Sequence, residues 1–511
     1  MSADETTASA AISADEQRLH ELGYAQELRR HMSGFTNFAV SFTIISILSG
    51  CLTLYGYGMN TGGPVLITWG WPFVGIMTMF VGLSMAEVCS SFPTAGGLYY
   101  WSAKLAPHNP AAWSWFTGWF NFLGQVAVTA GIDFGAALFI NALLDIQWGF
   151  STTTTWHTIV IFAAVLVLHG LLNSFGVTVV SILNNVSVWW HIGGVLVIVL
   201  VLAVVPSHHE SASFVFTHFA NNTGWSSKFY VILLGLLLAQ YTFTGYDASA
   251  HMTEETRDAA VAGPRGIVTS ILVSLVAGWV LLIGVTFAIQ HYTGEVGATV
   301  PPAQIFIDAL GATGGKLLLL IAIVAQLFCG MASVTANSRM IYAFSRDGAL
   351  PGSRLWHRVN PRTRTPTNAI WLAAGGALVL GLPYLGNETA YAAVTSIAVI
   401  GLYVAYVLPT FLRLRLGSAF VRGPWHLGRW SKPIGIISVV WVIIITVLFM
   451  LPTASPITWT NFNYTVIAVV AVLGFAWVYW AVSAHKWFTG PKVQGSAAEL
   501  AAMEAELDSL G

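Results

Sequence analysis

Phe243-Thr244-Gly245-Tyr246-Asp247-Ala248-Ser249 sets a glycine and a carboxylate inside an apolar run, Phe229 to Met252, that is long enough to cross a bilayer. A carboxylate at that depth is costly, so by default it marks a functional site. The corresponding place in the first half of the chain, Ser46-Ile47-Leu48-Ser49-Gly50-Cys51, is also a long apolar run interrupted by small polar residues. Interruptions in matching segments of two halves point to the substrate site of a transporter.

The rest of the chain supplies the membrane around that pair. Of 511 residues, 56% are hydrophobic and 8% charged, against about 25% charged in soluble proteins. Apolar segments of roughly 18 residues or more recur at 38–60, 63–86, 112–142, 155–172, 177–205, 229–252, 266–289, 314–338, 368–385, 391–412, 434–452 and 463–484. The expectation is an all-α integral membrane protein with twelve transmembrane helices. Cytoplasmic loops collect Lys and Arg, and with the N-terminus inside, nineteen of the 21 fall on the inner side, leaving Lys228 and Lys316 outside. Both termini are therefore expected in the cytoplasm of a cell whose plasma membrane holds the protein.

Spans one to five, about 38–205, and six to ten, about 229–412, form two blocks of similar size, each opening on an interrupted span. Five is odd, so the second block enters the membrane from the opposite side, as in an inverted repeat. Spans eleven and twelve, about 434–484, are additions to it. Residues 1–32 read as an N-terminal tail without a signal peptide, 33–486 as the transporter domain, and 487–511 as a solvated acidic tail.

Composition and motifs exclude several classes. A formal net charge of -1 without a long basic run gives no basis for nucleic acid binding. No Gly-rich loop ends in Lys-Ser or Lys-Thr, which points away from ATP and toward an ion gradient. Cys51, Cys89 and Cys329 lie in or beside spans and give no disulfide framework. His208, His209 and Glu210 are too isolated for a metal site, so neither metal nor cofactor is expected, and the chain does not read as an enzyme. Mostly apolar spans lack the repeated polar rings of a channel. A nutrient sensor on a transporter fold stays open.

Within the first break, Ser46, Ser49 and Gly50 would free backbone N–H groups at the start of a half-helix, a positive dipole end suited to a carboxylate. Alternatively these small residues let neighbouring helices approach closely. At the second break, Gly245 permits non-helical backbone whose carbonyls could accept from an ammonium. Tyr241, Phe243 and Tyr246 offer aromatic faces beside it. Asp247 could attract an amine, titrate with a transported proton, or cap the following half-helix. An imidazole in general titrates near physiological pH, which makes His191, within Asn184-Asn185-Val186-Ser187-Val188-Trp189-Trp190-His191, the candidate coupling residue; a hydrogen-bonded core histidine is the alternative. His169, in span four, is the weaker candidate.

Three ordered motifs carry a resemblance over roughly residues 30 to 485: Glu87-Val88-Cys89-Ser90-Ser91-Phe92-Pro93-Thr94-Ala95-Gly96-Gly97-Leu98-Tyr99-Tyr100-Trp101, Gly245-Tyr246-Asp247 followed by Thr253-Glu254-Glu255-Thr256, and Asn337-Ser338-Arg339-Met340-Ile341-Tyr342-Ala343-Phe344-Ser345-Arg346-Asp347-Gly348-Ala349-Leu350-Pro351. Together they resemble the amino acid-polyamine-organocation permeases, in particular the amino acid/choline transporter branch that includes 4-aminobutyrate permeases. The resemblance implies a leucine-transporter-like five-plus-five inverted repeat with substrate held between spans one, three, six and eight. It implies that Ser49 and Gly50, with Ser46 nearby, receive the substrate carboxylate, and that Phe243, Gly245 and Tyr246 surround the amine. A fifth-span lysine often replaces sodium in that family; its nearest counterpart here is His191, which makes a proton the expected coupling ion. Glu87, Glu254, Glu255, Arg339, Arg346 and Asp347 share one membrane face and could form an inner gate, with a solvated loop as the alternative. The expected activity is import of amino acids or 4-aminobutyrate-like amines by alternating access, with choline or polyamine uptake, or amino acid exchange, as alternatives.

Overall fold

In lipid, every backbone N–H must find a carbonyl within its own segment, so apolar windows of this length fold as helices. The computed structural model describes residues 13–150, 154–175, 177–387, 389–493 and 495–510. Among these, eleven helices are long and apolar enough to cross a membrane. The remaining span, sixth in order, falls short because it is broken into Lys228–Gly235, Leu237–Thr242 and Ala248–His251. Span one is broken in the same way, into Gly34–Ile45 and Ile47–Thr53. The two interrupted helices thus lie five spans apart, as an inverted repeat requires.

The continuous spans are Pro64–Ser91 (two), Pro110–Trp148 (three), Thr155–Ser174 (four), Val177–Val204 (five), Ala259–Phe287 (seven), Pro301–Arg346 (eight), Thr367–Gly381 (nine), Ala390–Leu416 (ten), Ser431–Leu448 (eleven) and Thr465–Val482 (twelve). Three of them open on Pro64, Pro110 and Pro301, where the missing N–H of proline costs nothing. Spans three and eight run beyond the apolar windows expected for them. Span eight also absorbs an outer helix across Gly311, whose φ of 73° interrupts the helical path.

Burial orders the bundle. The apolar windows of spans one, three and ten are 89%, 83% and 78% buried, whereas that of span twelve is 17% buried. Broken span one therefore sits in the centre, and span twelve lies at the periphery. On one face, Thr61–Gly62 pairs antiparallel with Ala220–Asn221, tying the end of span one to the loop before span six. The opposite face carries both termini.

The tails are docked rather than free. Ala14–Leu22 is a helix whose Ser13 and Glu16 form a reciprocal capping box. Glu504, on the C-terminal helix Ala497–Leu510, holds His20 Nε2 at 2.8 Å and accepts the Gln26 N–H at 2.5 Å. Leu500 is 1% exposed. The expected solvated acidic tail is thus a strap, because its Glu504 carboxylate meets an imidazole and a backbone donor contributed by the N-terminal segment.

Candidate functional site

The first break is a single residue. Ser46 has φ 35° and ψ 81°, a left-handed conformation that ends one helix and starts the next. Ser49 and Gly50 already donate their N–H groups to the Ser46 carbonyl, at 2.8 and 3.0 Å. Ile47 and Leu48 precede those bonds, so they stand where a helix N-terminus has no carbonyl to donate to. The open donors are accordingly narrower than the Ser46-to-Gly50 stretch and begin at Ile47. On the other side of the break, the Ile44 carbonyl takes a bond from Cys329 Sγ of span eight, at 3.2 Å.

Gly50 and Gly245 interlock the two broken spans. A Cβ on Gly50 would lie 2.5 Å from Thr242 Oγ1, and one on Gly245 would lie 2.1 Å from Ile44 Cγ2. Gly245 also has φ 93°, which L side chains rarely adopt. Each break therefore needs its glycine for contact with the other. Ser41 Oγ bonds the Tyr246 carbonyl and Ser249 Oγ, at 2.9 and 2.7 Å. Asn37 Nδ2 bonds the Ser249 carbonyl at 2.9 Å.

The aromatic residues divide. The Tyr241 hydroxyl is buried and, among the described residues, has no hydrogen-bond partner; it faces Gly131 of span three, whose added Cβ would lie 2.4 Å away. Tyr246 packs on Tyr406 with ring centroids 4.9 Å apart. Phe243 turns the other way: its ring packs on Trp71 of span two, centroids 4.4 Å apart, and only its carbonyl, taken by Tyr403 at 2.9 Å, serves the break. Unwound backbone has no helical period, so neighbouring side chains leave it in directions that spacing does not give.

Asp247 is fully buried and fully engaged. Gln125 Nε2 donates to Oδ2 at 2.6 Å, Tyr406 Oη donates to Oδ1 at 2.6 Å, and His251 Nε2 lies 3.2 Å from Oδ2. Gln125, Tyr406 and His251 were all missed from sequence. Two of the three have periodic signals: Asn121, Gln125, Thr129 and Asp133 form a polar stripe at every fourth residue of apolar span three, and His251 is one turn past Asp247. Asp133 itself pairs with His169 of span four at 3.0 Å, against Gly330 of span eight, where an added Cβ would lie 1.8 Å from Oδ1.

His191 bridges span five to the first break. Its Nδ1 lies 2.8 Å from the Ser187 carbonyl, which can only accept, so Nδ1 carries the proton. Nε2 then accepts from the Ser46 hydroxyl at 2.7 Å. A neutral ring satisfies both contacts, and the bridge fixes the orientation of Ser46.

At the face holding both termini, Arg339 Nε donates to Glu255 Oε1 at 2.8 Å and Arg346 Nη2 lies 3.3 Å from Glu254 Oε1. The Arg346 guanidinium also covers the Tyr24 ring at 3.9 Å. Glu254 Oε1 accepts the Ala95 N–H at 2.9 Å, joining the Pro93-to-Gly97 stretch to this cluster. Asp347 accepts from Tyr99 Oη at 2.7 Å. Glu87 does not join them. It pairs with Arg413 of span ten at 3.1 Å and takes the Ser431 hydroxyl, so it braces spans two, ten and eleven.

Comparison with known proteins agrees with this architecture. The amino acid permease family matches residues 32–473. The chain belongs to that family. The permease is 46% identical over 493 residues to the amino-acid permease BAT1 of Arabidopsis thaliana, covering 93% of this chain and 95% of the relative. It is 33% identical over 492 residues to an uncharacterised amino-acid permease of Schizosaccharomyces pombe, covering 94% and 90%. It is likewise 33% identical over 438 residues to a putative amino acid/polyamine transporter of Macrophomina phaseolina, covering 83% and 96%. It is a multi-pass membrane transporter of amino acids, not an enzyme.

Proposed function

We propose that this permease imports small amino acids or 4-aminobutyrate-like amines across the plasma membrane by alternating access, driven by protons. The observation carrying this reading is the interlocked pair of breaks, with half-helix amides on span one and unwound carbonyls on span six meeting at Gly50 and Gly245. A zwitterion matches that arrangement: its carboxylate suits the N–H groups of Ile47 and Leu48, and its ammonium suits the second lone pairs of the span-six carbonyls. Ser46, Ser49 and Gly50 shape the carboxylate end, whereas Tyr241, Gly245 and Tyr246 shape the amine end. Phe243 contributes its carbonyl, and Asp247 holds the break from behind through Gln125 and Tyr406. His191 acts by positioning Ser46.

The face with both termini is assigned to the cytoplasm by its excess of Lys and Arg. The Glu254–Arg346 and Glu255–Arg339 pairs then close the inner side and part when the protein opens inward. The name of the Macrophomina phaseolina relative supports a second reading, uptake of a polyamine. Counterflow of radiolabelled L-alanine, 4-aminobutyrate, choline and putrescine into proteoliposomes separates the two. Saturable counterflow of a carboxylate-bearing solute is expected; counterflow of choline or putrescine alone would overturn the assignment, as would none with any of them.

A further inference from the structure

Resting on the reading of the permease as a gradient-driven importer, we propose that Asp247 and His251 together form the site that binds the coupling proton. Their close approach leaves a place for a proton between them. His251 Nδ1 lies 2.9 Å from the Ala95 carbonyl, an acceptor only, so that nitrogen donates. With Nδ1 protonated, a neutral ring leaves Nε2 to accept from Asn121 Nδ2 at 3.3 Å while it lies 3.2 Å from Asp247 Oδ2. Two acceptor atoms at that distance repel, and one additional proton, on either Nε2 or Oδ2, relieves the repulsion. Both residues are 0% exposed, so the repulsion is little screened by solvent.

The groups around the pair leave the proton to it. Span three contributes the amides of Gln125, on Oδ2 at 2.6 Å, and Asn121, whose Nδ2 is 3.3 Å from His251 Nε2. Span ten contributes the Tyr406 hydroxyl on Oδ1, with Tyr403 behind Tyr246. The span-two motif contributes the Ala95 carbonyl, and beyond it Glu254 with Arg346. Among the described residues, no Lys or Arg pairs with Asp247. Glu254 and Arg346, beyond Ala95, are paired with each other.

Two states follow. With the proton present, Nε2 bonds Asp247 and holds span six against Ala95. With the proton gone, Nε2 is bare and its remaining donor is the Asn121 amide, so His251 and Asp247 separate. His251 is bonded to the Ala95 carbonyl and Glu254 to the Ala95 N–H, so this separation strains the same peptide that anchors the Glu254–Arg346 closure. Asp247 directly follows the break that holds the substrate amine, so the proton site and the substrate site share span six.

The test uses the full-length protein in proteoliposomes with radiolabelled L-alanine, the membrane potential clamped to zero, and an internal pH dye. For a one-proton symporter of a neutral zwitterion, one pH unit, inside alkaline, supports about tenfold accumulation. In the wild type, alanine accumulates about tenfold and the interior acidifies. In His251→Gln, whose amide can bond Asp247 without titrating, counterflow stays within about twofold of wild type. Gradient-driven accumulation then falls to equilibration and the dye response disappears; His251→Asn serves if the first variant is not monodisperse. Accumulation preserved in the variant would overturn the proposal, as would counterflow falling in parallel with accumulation, or a wild type that exchanges alanine without responding to the gradient. Absence of any alanine or 4-aminobutyrate counterflow in the wild type would instead sink the import reading on which the proposal rests.

Discussion

Gly245→Ala is the sharpest perturbation of the interlocked breaks. Its Cβ would lie 2.1 Å from Ile44 Cγ2 and would have to be carried at φ 93°. Overpacking in a close-fitted interior costs about 1–3 kcal/mol, and holding a non-glycine residue in a sparsely populated backbone region costs about 1–3 kcal/mol more. The summed destabilisation is therefore about 2–6 kcal/mol, a large share of the ~5–15 kcal/mol stability of folded proteins in general. The two parts separate in large measure, because Ile44→Ala removes the nearest clashing atom, Cγ2, keeps a Cβ at 2.9 Å and leaves the backbone strain. A double-mutant cycle read by equilibrium unfolding in mixed micelles, with alanine counterflow on the same four proteins, should give a coupling of about 1–3 kcal/mol and partial rescue of transport. Additive effects would refute the interlock, as would a Gly245→Ala protein with wild-type stability and uptake.

Other consequences follow from neighbouring contacts. Arg346→Gln leaves Glu254 buried without its ion pair; such losses cost about 3–5 kcal/mol, so thiol probes placed on the terminal face should gain access, and unchanged labelling would count against a gate there. Cys329 bonds the Ile44 carbonyl beside the first break, so substrate should slow its alkylation in a Cys51→Ala, Cys89→Ala background, whereas a rate indifferent to substrate would detach the site from span eight. On the opposite face, burial raises the Glu295 carboxyl from 4.5 to about 7. The folded state then binds the extra proton, so its contribution to stability is full below 4.5 and is lost as pH rises through 7. Glu295→Gln should flatten that part of the pH–stability profile, and an unchanged slope would exclude the carboxyl as its source.

Local signals in the chain made some of this legible. The two breaks, the twelve spans and the shared side of the termini rest on apolar length, interrupted runs and the placement of Lys and Arg, all readable without partners. Partner choice was not readable. Glu87, Glu254, Arg339, Arg346 and Arg413 lie on one face, and charge patterning alone allows several pairings; packing gives Glu87 to Arg413 and Glu254 to Arg346. The Asp247 network joins spans three, six and ten through single side chains 122 and 159 residues away. Its polar stripe was visible, yet polar positions on a central helix do not announce what they face. Phe243 illustrates the remaining gap, since adjacency to an unwound glycine says nothing of ring direction.

The most direct test is a structure of the permease with L-alanine bound. The carboxylate is expected about 3 Å from the backbone N–H groups of Ile47 and Leu48, with the ammonium against the carbonyls around Gly245. Alanine lodged outside the Gly50–Gly245 crossing, or with its ammonium toward Ile47, would contradict the two-break site.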